Sequence, residues 1–279
     1  MSYEVSEATR ALVQQFISER KYLLNVTPQT IIWYGCSFKA FEGAVDSVDA
    51  AKRRIAELRE RGVSAITVNS YLRCINAFWK WQGKDWKIRR LKEEQKILAT
   101  FSAEQVQTLL KFRPKGTNFT RVHALACLLL DTGLRINEGR TIKQTDVDFD
   151  NLLVTVMGKG NKQRRVPISF EGRKLLFRYV QQNPRRYVFG TRNQTACTIR
   201  NLQRDFSVLC RKIGISGVRC SFHTLRHTFA VFYLRKGGNL FYLSRILGHT
   251  SVKTTERYLQ SLGIEDLQAV HNGLSLLSR

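Results

Sequence analysis

The sequence predicts a mainly α-helical protein with one small β-hairpin, divided into two domains. Its 279 residues exceed the usual size of one domain, and 43% of them are hydrophobic, which is enough for two cores. Most segments carry apolar residues at the spacing of amphipathic helices. Two short runs near the middle of the chain instead have strand-like composition and flank the glycine-containing turn GKGNK.

The first predicted domain spans residues 1–95 and is helical. Apolar side chains recur at helical spacing in successive stretches, as with Leu12, Val13 and Phe16 in the first of them. A four-helix domain is therefore expected at this end of the chain. The predicted helices are 7–23, 28–45, 47–61 and 65–82.

A basic linker is predicted over residues 83–102, overlapping the domain boundary. This stretch loses apolar periodicity and carries five basic residues between positions 84 and 92. Such a composition suits an extended segment that lies against phosphates. The candidate phosphate contacts are Lys84, Lys87, Arg89 and Arg90.

The second predicted domain, residues 101–279, begins with a helix that Ser102 can cap, because Gln105 can reach back and close a capping box. A buried helix over 123–133 ends at Gly133, and a new helix starts at once. Two strands follow, and the rest of the domain is helical. The strands are expected over 152–157 and 163–169, and the last helix over 264–277.

The net charge favours a polyanionic partner. The chain has 46 Lys and Arg against 22 Asp and Glu, a formal charge of +24. Both predicted domains contribute, since positions 1–100 hold 17 basic and 11 acidic residues and positions 101–279 hold 29 and 11. Solubility alone needs much less charge. Without an amphipathic basic tail, nucleic acid fits this excess better than a membrane surface does.

Neither a membrane span nor secretion is indicated. The chain has no run of eighteen apolar residues, and MSYEVSEATR lacks the basic-then-apolar order of a signal peptide. We therefore expect a cytoplasmic protein, and six cysteines without a CxxC pair suit reduced thiols. No metal is expected, because the nine-residue gap between Cys210 and Cys220 is not a zinc-knuckle spacing. The set considered as zinc ligands is Cys210, Cys220, His223 and His227.

Four separated pieces of the second domain carry the candidate chemistry. In TGLRINEGR, Arg135 stands at a helix start, where its guanidinium and free backbone amides could share a phosphate. Glu138, one turn on, could hold Arg135 in place, and the alternative is an exposed helix pair. At the hairpin tip, Lys159 or Lys162 projects either into solvent or toward a polyanion.

The third piece, HTLRHTFA, places His223 and Arg226 on one helical face at i and i+3. A proton carrier and a cation can thus converge on one anion. His227 is interpreted as a core histidine outside the site.

The fourth piece, GHTSVKTTERYL, spans residues 248–259. We expect Gly248 to end a helix and His249 to follow in the loop. Ser251 is expected to cap the next helix, with Tyr258 two turns in. About one free tyrosine in a thousand is ionised at neutral pH. Two arginines, a lysine and two histidines around a phosphate would stabilise both a phenolate and a pentacoordinate transition state without a metal.

In this order, TGLRINEGR, GKGNKQRRVP, HTLRHTFA and LGHTSVKTTERYL resemble the motif set of the tyrosine recombinases, the phage integrase and Xer-type family. The resemblance covers the second domain throughout and implies that six residues surround the scissile phosphate, with Tyr258 as nucleophile. They are Arg135, Lys159, His223, Arg226, His249 and Tyr258. Glu138 matches the acidic residue that supports the first arginine. Lys159, between the two glycines of its turn, matches the family's general acid.

The same resemblance implies the reaction and the main partner. Tyr258 would attack duplex DNA at a specific recombination site, form a 3′-phosphotyrosyl bond and release a 5′-hydroxyl. Strand exchange would pass through a Holliday junction without ATP or any other cofactor. Residues 1–95 resemble the family's helical, SAM-like core-binding domain in length and helix count, so two domains would clamp the duplex. The basic linker residues, with Lys162 and Arg164, then become candidate DNA contacts.

A terminal apolar stripe, which in the family packs on a neighbouring protomer, implies a tetramer on DNA, and the alternative is that the helix docks on its own chain. Such a protein is expected to be associated with the nucleoid. The stripe is Leu267, Val270, Leu274 and Leu277. The need for an accessory factor is left open, as is the choice among integration, excision, transposition and dimer resolution. Two other functions also stay open: type IB topoisomerase-like cleavage and rejoining without strand exchange, and DNA binding by a non-catalytic regulator.

Overall fold

The structure, a computed structural model, describes residues 7–94, 98–158 and 163–274. The chain separates into two compact units, residues 1–95 and 96–279. As predicted, it is mostly helical, and its described strands form a small antiparallel sheet. Across the described ranges, no helix is long and apolar enough to cross a membrane.

The first unit contains the predicted helices, each with slightly shorter ends. They are α1 (Glu7–Tyr22), α2 (Pro28–Phe41), α3 (Val48–Glu60) and α4 (Ala65–Trp81). The last three are capped by Thr27, Ser47 and Ser64, whose side chains accept from amides three residues further on. The helices enclose a core that includes the fully buried side chains of Phe16 and Trp79.

The first half of the expected linker is part of this unit. Residues 84–94 run without helix or strand alongside α4. Asn76 exchanges hydrogen bonds of 3.0 and 3.1 Å with the Ile88 backbone, and Asn69 exchanges bonds of 2.8 and 2.9 Å with the Leu91 backbone. Because the Ile88 and Leu91 side chains also pack against the core, the segment is fixed to α4.

The second unit holds the remaining elements. They are α5 (Ala103–Lys111), α6 (Thr117–Thr132), α7 (Ile136–Arg140), β1 (Val147–Asp148), β2 (Leu153–Met157), β3 (Gln163–Pro167), α8 (Phe170–Gln182), α9 (Ile199–Lys212), α10 (Phe222–Arg235), α11 (Leu240–Leu247), α12 (Lys253–Glu256) and α13 (Ile264–Leu274). The predicted capping box of Ser102 and Gln105 at the start of α5 is confirmed. Gly133 and Gly248 end α6 and α11 in the left-handed conformation, as predicted.

The core of the second unit surrounds α6. This helix packs against α8, α9 and α10, and every residue from Val122 to Leu129 is buried. A Cβ at Gly133 would lie 2.3 Å from the Phe229 ring, and φ there is +64°, so only glycine ends α6 without strain. The chain therefore leaves the core immediately before Arg135.

The sheet runs in the order β1-β2-β3 and is antiparallel throughout. Val154 lies opposite Val166, and both side chains are fully buried in the core. The predicted hairpin is confirmed, with strands shorter than the expected 152–157 and 163–169. The two-residue β1 was not predicted, because so short a strand has no alternation to detect.

The prediction for the segment that follows α11 is partly wrong. The Ser251 side chain does not cap α12, which has four residues and no side-chain cap. Tyr258 follows α12 and directly precedes a 3₁₀ turn, Leu259–Ser261, instead of lying two turns inside a helix. Tertiary contacts determine the course of the chain in this segment, because Thr255 in α12 is fully buried.

The last described helix, α13, packs on α10 of the same chain. Arg235 and Asp266 form an ion pair at 3.1 Å between them. Ile264 and Leu267 remain 68% and 53% exposed. The side chains of Leu274 and Leu277, from the expected apolar stripe, lie outside the described residues.

Candidate active site

Arg135 occupies the N-cap position of α7, where the chain is extended. Its amide donates to Glu138 Oε2 at 2.8 Å and its Nη1 to Glu138 Oε1 at 3.1 Å. Nη1 also donates to the Leu247 carbonyl at 3.2 Å. The side chain is 35% exposed, so the guanidinium is fixed by the protein and still accessible to a ligand.

Glu138 holds a second guanidinium as well. Arg164 donates to both of its carboxylate oxygens, at 2.7 and 3.0 Å, and the Glu138 side chain is only 4% exposed. Burial by itself would raise the pKa of Glu138, but the hydrogen bonds from Arg164 and the Arg135 amide and the charges of both arginines outweigh it and lower the pKa. Glu138 is therefore a carboxylate at neutral pH.

Arg226, on α10, is 4% exposed and makes hydrogen bonds through both terminal nitrogens. Its Nη1 donates to the Gly133 carbonyl at 2.6 Å, and its Nη2 donates to the Leu247 carbonyl at 2.8 Å. Burial, followed by the charge of Arg135, lowers the pKa of Arg226 to about 10. Arg226 thus remains a cation at neutral pH.

His249 lies directly after the end of α11 and contacts Arg226. Arg226 Nη2 lies 3.0 Å from His249 Nε2, and since arginine only donates, Nε2 is the acceptor. His249 Nδ1 then carries the proton and donates to Thr255 Oγ1 at 2.8 Å. Burial and the charges of Arg226 and Arg135 lower the pKa of His249 to about 4. For Nε2 to donate to a phosphate, as the resemblance implies, the ring must gain or relocate a proton.

His223 lies in the first turn of α10, and the residue as a whole is exposed. Partial desolvation of its ring and the charges of Arg226 and Arg219 lower its pKa. It borders a cavity of about 590 Å³ that is also lined by Arg211 and Ser221. His223 is therefore the most solvent-accessible of the predicted histidines.

Tyr258 is 2% exposed and packs with Val231 and Leu247. Its hydroxyl lies 3.2 Å from Nδ1 of His227. An ionised Tyr258 would raise the pKa of Arg226, so the phenol lies within electrostatic reach of that arginine. The sequence interpretation placed His227 in the core and outside the site, whereas the structure brings it to the predicted nucleophile. Its position directly after Arg226 was the signal available in the sequence.

The predicted lysines of the hairpin tip, Lys159 and Lys162, lie outside the described residues. The base of the hairpin is described. Arg164 in β3 was expected to contact DNA, but its side chain is 16% exposed and is bound to Glu138 and, through Nε, to the Ile246 carbonyl at 3.2 Å. Arg164 thus joins the hairpin to the site through internal hydrogen bonds, a pairing across 26 positions that local patterns do not reveal.

The basic residues of the predicted linker belong to the first unit. Lys87, Arg89 and Arg90 are exposed, and Arg90 pairs with Glu93 at 3.1 Å. The Lys84 ammonium lies 4.1 Å from the centre of the Trp86 ring. Lys87, Arg89 and Arg90 therefore present their charges to solvent.

The site carries an excess of positive charge in partly buried surroundings. Arg135 and Arg164 bind the Glu138 carboxylate, and Arg226 lies within electrostatic reach of it. Two of these guanidiniums share the Leu247 carbonyl, at the C-terminal end of α11, whose partial negative charge offsets some of their repulsion. A phosphodiester could bind both guanidiniums and balance the remaining charge. Within the described ranges, no cluster of three or more His, Cys, Asp or Glu side chains could hold a metal ion.

Known proteins share this sequence pattern. The chain matches the phage integrase family over residues 99–263. It is 30% identical over 226 residues to tyrosine recombinase XerA of Pyrococcus furiosus, covering 78% of this chain and 77% of that protein. Tyrosine recombinase XerC of Syntrophus aciditrophicus is 28% identical over 241 residues, covering 78% and 76%.

Solved structures share the fold. The Tn1549 transposon integrase in complex with transposon right end DNA has a TM-score of 0.75 and 19% identity, over 94% of this chain and 99% of that one. The XerH recombinase bound to a palindromic difH substrate has a TM-score of 0.71 and 17% identity, over 100% and 92%. Sequence match and fold agree with the resemblance of the motifs. The chain belongs to the phage integrase family and is a tyrosine-type site-specific DNA recombinase.

Proposed function

We propose that the chain cuts and rejoins duplex DNA through a covalent bond between Tyr258 and a 3′-phosphate. One observation carries this proposal. The turn that ends α11 contacts both candidate arginines, through the Leu247 carbonyl and His249, and the same stretch of chain leads on to Tyr258. This shared segment supports a common role for the two arginines and Tyr258.

Arg135 and Arg226 bind the non-bridging oxygens of the scissile phosphate in this proposal. Both side chains are already oriented by carbonyl groups, so little reorganisation is needed when negative charge develops in the transition state. His223 hydrogen-bonds the same phosphate, and His249 does so once its ring gains a proton or moves its proton to Nε2. Glu138 keeps Arg135 in place.

Cleavage is an in-line displacement at phosphorus. Tyr258 Oη forms a bond to phosphorus and its proton passes to solvent, while the bond from phosphorus to the 5′-oxygen breaks. Lys159, as general acid, gives a proton to the departing 5′-oxygen. The result is a 3′-phosphotyrosyl bond and a free 5′-hydroxyl.

Rejoining reverses these steps with a different strand. A 5′-hydroxyl from the partner duplex gives its proton to Lys159 as it attacks the phosphotyrosine, and Tyr258 leaves and takes up a proton from solvent. One pair of strand exchanges forms a Holliday junction, and a second pair resolves it. The number of ester bonds is unchanged, so the reaction needs neither ATP nor another cofactor.

The two units divide the work of binding DNA. Residues 1–95 act as the core-binding domain, residues 101–279 act as the catalytic domain, and the basic segment 83–102 contacts DNA phosphates. The positive charge in both regions supports this arrangement.

Four protomers assemble on the paired sites of two duplexes in the cytoplasm, within the nucleoid, and the C-terminal helix links neighbours. The exposure of Ile264 and Leu267 on α13 supports a contact there. An accessory factor, where one takes part, would set the direction of recombination and leave the chemistry of strand cleavage unchanged.

A circular plasmid tests the proposal. The site is first selected from random duplexes by binding, and two copies are placed on one supercoiled plasmid. Strand exchange predicts inversion or deletion circles, according to the relative orientation of the sites. Relaxed circles with unchanged sequence would instead indicate a topoisomerase-like enzyme. Binding without any covalent adduct would indicate a non-catalytic regulator.

A further inference from the structure

We infer that His227 is a positioning residue for the nucleophile, holding the Tyr258 hydroxyl through a hydrogen bond to Nδ1. This inference rests on the proposed role of Tyr258. It adds a residue from the helix that carries Arg226, so one turn of α10 would orient both the nucleophile and a phosphate-binding cation.

The contact is between the polar edges of the two rings. Their centroids are 5.7 Å apart and their planes are tilted by 53°, while Oη and Nδ1 are separated by 3.2 Å. Tyr258 is 2% exposed, so water hardly competes for this bond. Among the described residues, His227 is the hydrogen-bond partner of the Tyr258 hydroxyl.

The charges around His227 decide which group donates. Arg257 faces it from the end of α12, and Arg226 and His223 lie on its own helix; together with burial they lower the pKa of His227 to about 4. The ring is therefore neutral, and a neutral imidazole has one nitrogen that accepts. With the proton on Nε2, Nδ1 accepts from Oη–H.

A neutral ring of this kind orients the phenol and is a poor final acceptor for its proton. Efficient general bases have a pKa near the working pH, well above that of His227. A hydroxyl whose proton points at Nδ1 keeps its lone pairs free for phosphorus. Misplacing a nucleophile by about 1 Å can cost on the order of 100-fold in rate.

Three substitutions test the hydrogen bond. In the His227→Asn variant the side-chain carbonyl would lie near the position of Nδ1, whereas His227→Gln places its amide near Nε2 and His227→Leu offers no acceptor. We expect the Gln and Leu variants to form the covalent adduct about 100-fold more slowly in single turnovers on a nicked suicide duplex. The Asn variant should stay within about tenfold of wild type, with DNA affinity unchanged in all three.

A sulfur-substituted duplex separates positioning from proton delivery. With a 5′-bridging phosphorothiolate, the leaving thiolate needs no general acid, so a Lys159→Ala defect should be relieved. The His227→Gln defect should persist on this substrate. If His227→Gln reacts like wild type, or if sulfur restores it, the inference is overturned. Absence of any adduct with the wild-type chain would overturn the proposed function itself.

Discussion

At the residue scale, the site depends on a carboxylate shared by two arginines. Glu138 accepts hydrogen bonds from Arg135 and Arg164 with 4% of its side chain exposed. Removing the charge of one member of a buried ion pair leaves the other charges without compensation, which costs far more than the pair contributes. Glu138 therefore governs both stability and the orientation of Arg135.

Glu138→Gln should lower the free energy of unfolding by about 3 kcal/mol and slow adduct formation, because the remaining guanidiniums repel each other. Urea denaturation measures the first effect. Glu171→Gln is the matched control, since Glu171 pairs with Lys174 at 2.8 Å on the surface with 81% of its side chain exposed. Equal losses from the two substitutions would contradict the role assigned to Glu138.

The histidines of the site make stability depend on pH. Burial and nearby cations lower the pKa of His227 and of His249 to about 4, below the unfolded value of roughly 6.5. The unfolded chain thus binds more protons between these values, and stability is lost as pH falls from about 6.5 toward 4. Denaturation at pH 7 and 5 should differ by on the order of 1–3 kcal/mol, and His249→Gln should reduce the difference. Equal stability at both pH values would contradict the lowered pKa values of His227 and His249.

At the element scale, glycines shape the loops of the site. Gly248 ends α11 with φ +65°, and a Cβ there would lie 2.7 Å from the Arg164 guanidinium carbon. This close approach lets Arg164 reach Glu138 while the neighbouring Leu247 carbonyl binds the other arginines. The end of one helix thereby sets the positions of three guanidiniums.

Gly248→Ala should therefore slow adduct formation at least tenfold, because the added Cβ displaces Arg164. This effect is separate from the backbone strain of an alanine in the left-handed conformation. Gly214→Ala is the control, because its φ is +74° but nothing lies within 4 Å of the added Cβ. Both variants should lose roughly 1 kcal/mol of stability from backbone strain. Similar adduct rates for the two variants would show that the contact with Arg164 is unimportant.

Local signals in the sequence predicted the elements well where a cap or a glycine marks their ends. Each of these signals involves residues only a few positions apart in the chain. The structure confirms the capping box of Ser102 with Gln105 and the helix ends at Gly133 and Gly248. The path around Tyr258 was mispredicted because it depends on tertiary contacts.

The same limit applied to the site. The motifs supplied the candidate arginines and histidines, but not the contacts of Arg164 with Glu138 or of His227 with Tyr258. Those partners lie 26 and 31 positions apart, and only folding brings them together.

At the scale of the whole molecule, assembly on DNA should require the C-terminal helix. In the described structure α13 is held on its own chain by the ion pair of Arg235 with Asp266, while Leu267 remains 53% exposed. The partly exposed ion pair contributes little to the packing of α13 on α10, and the exposed Leu267 side chain is available to a neighbouring protomer.

Deleting residues 264–279 should preserve binding of one protomer to a half-site but abolish complexes that hold two duplexes. Gel-shift titration and light scattering distinguish these species. Asp266→Asn removes the charge that pairs with Arg235 but keeps an oxygen that can accept from the Gly263 amide, so this variant should assemble like wild type. Normal two-duplex complexes from the truncated chain would mean that the helix serves its own protomer.

Covalent trapping on a nicked suicide duplex tests the central claim most directly. The short 5′-hydroxyl fragment diffuses away after cleavage, so the wild-type chain should remain bound to DNA through a denaturant-resistant bond without added magnesium. Tyr258→Phe removes one oxygen from a buried ring and should abolish the adduct while keeping DNA binding. Tyr242→Phe, at a tyrosine that is 63% exposed on α11, should form the adduct normally. An adduct from the Tyr258→Phe variant, or peptide mapping of the DNA to another residue, would contradict the account.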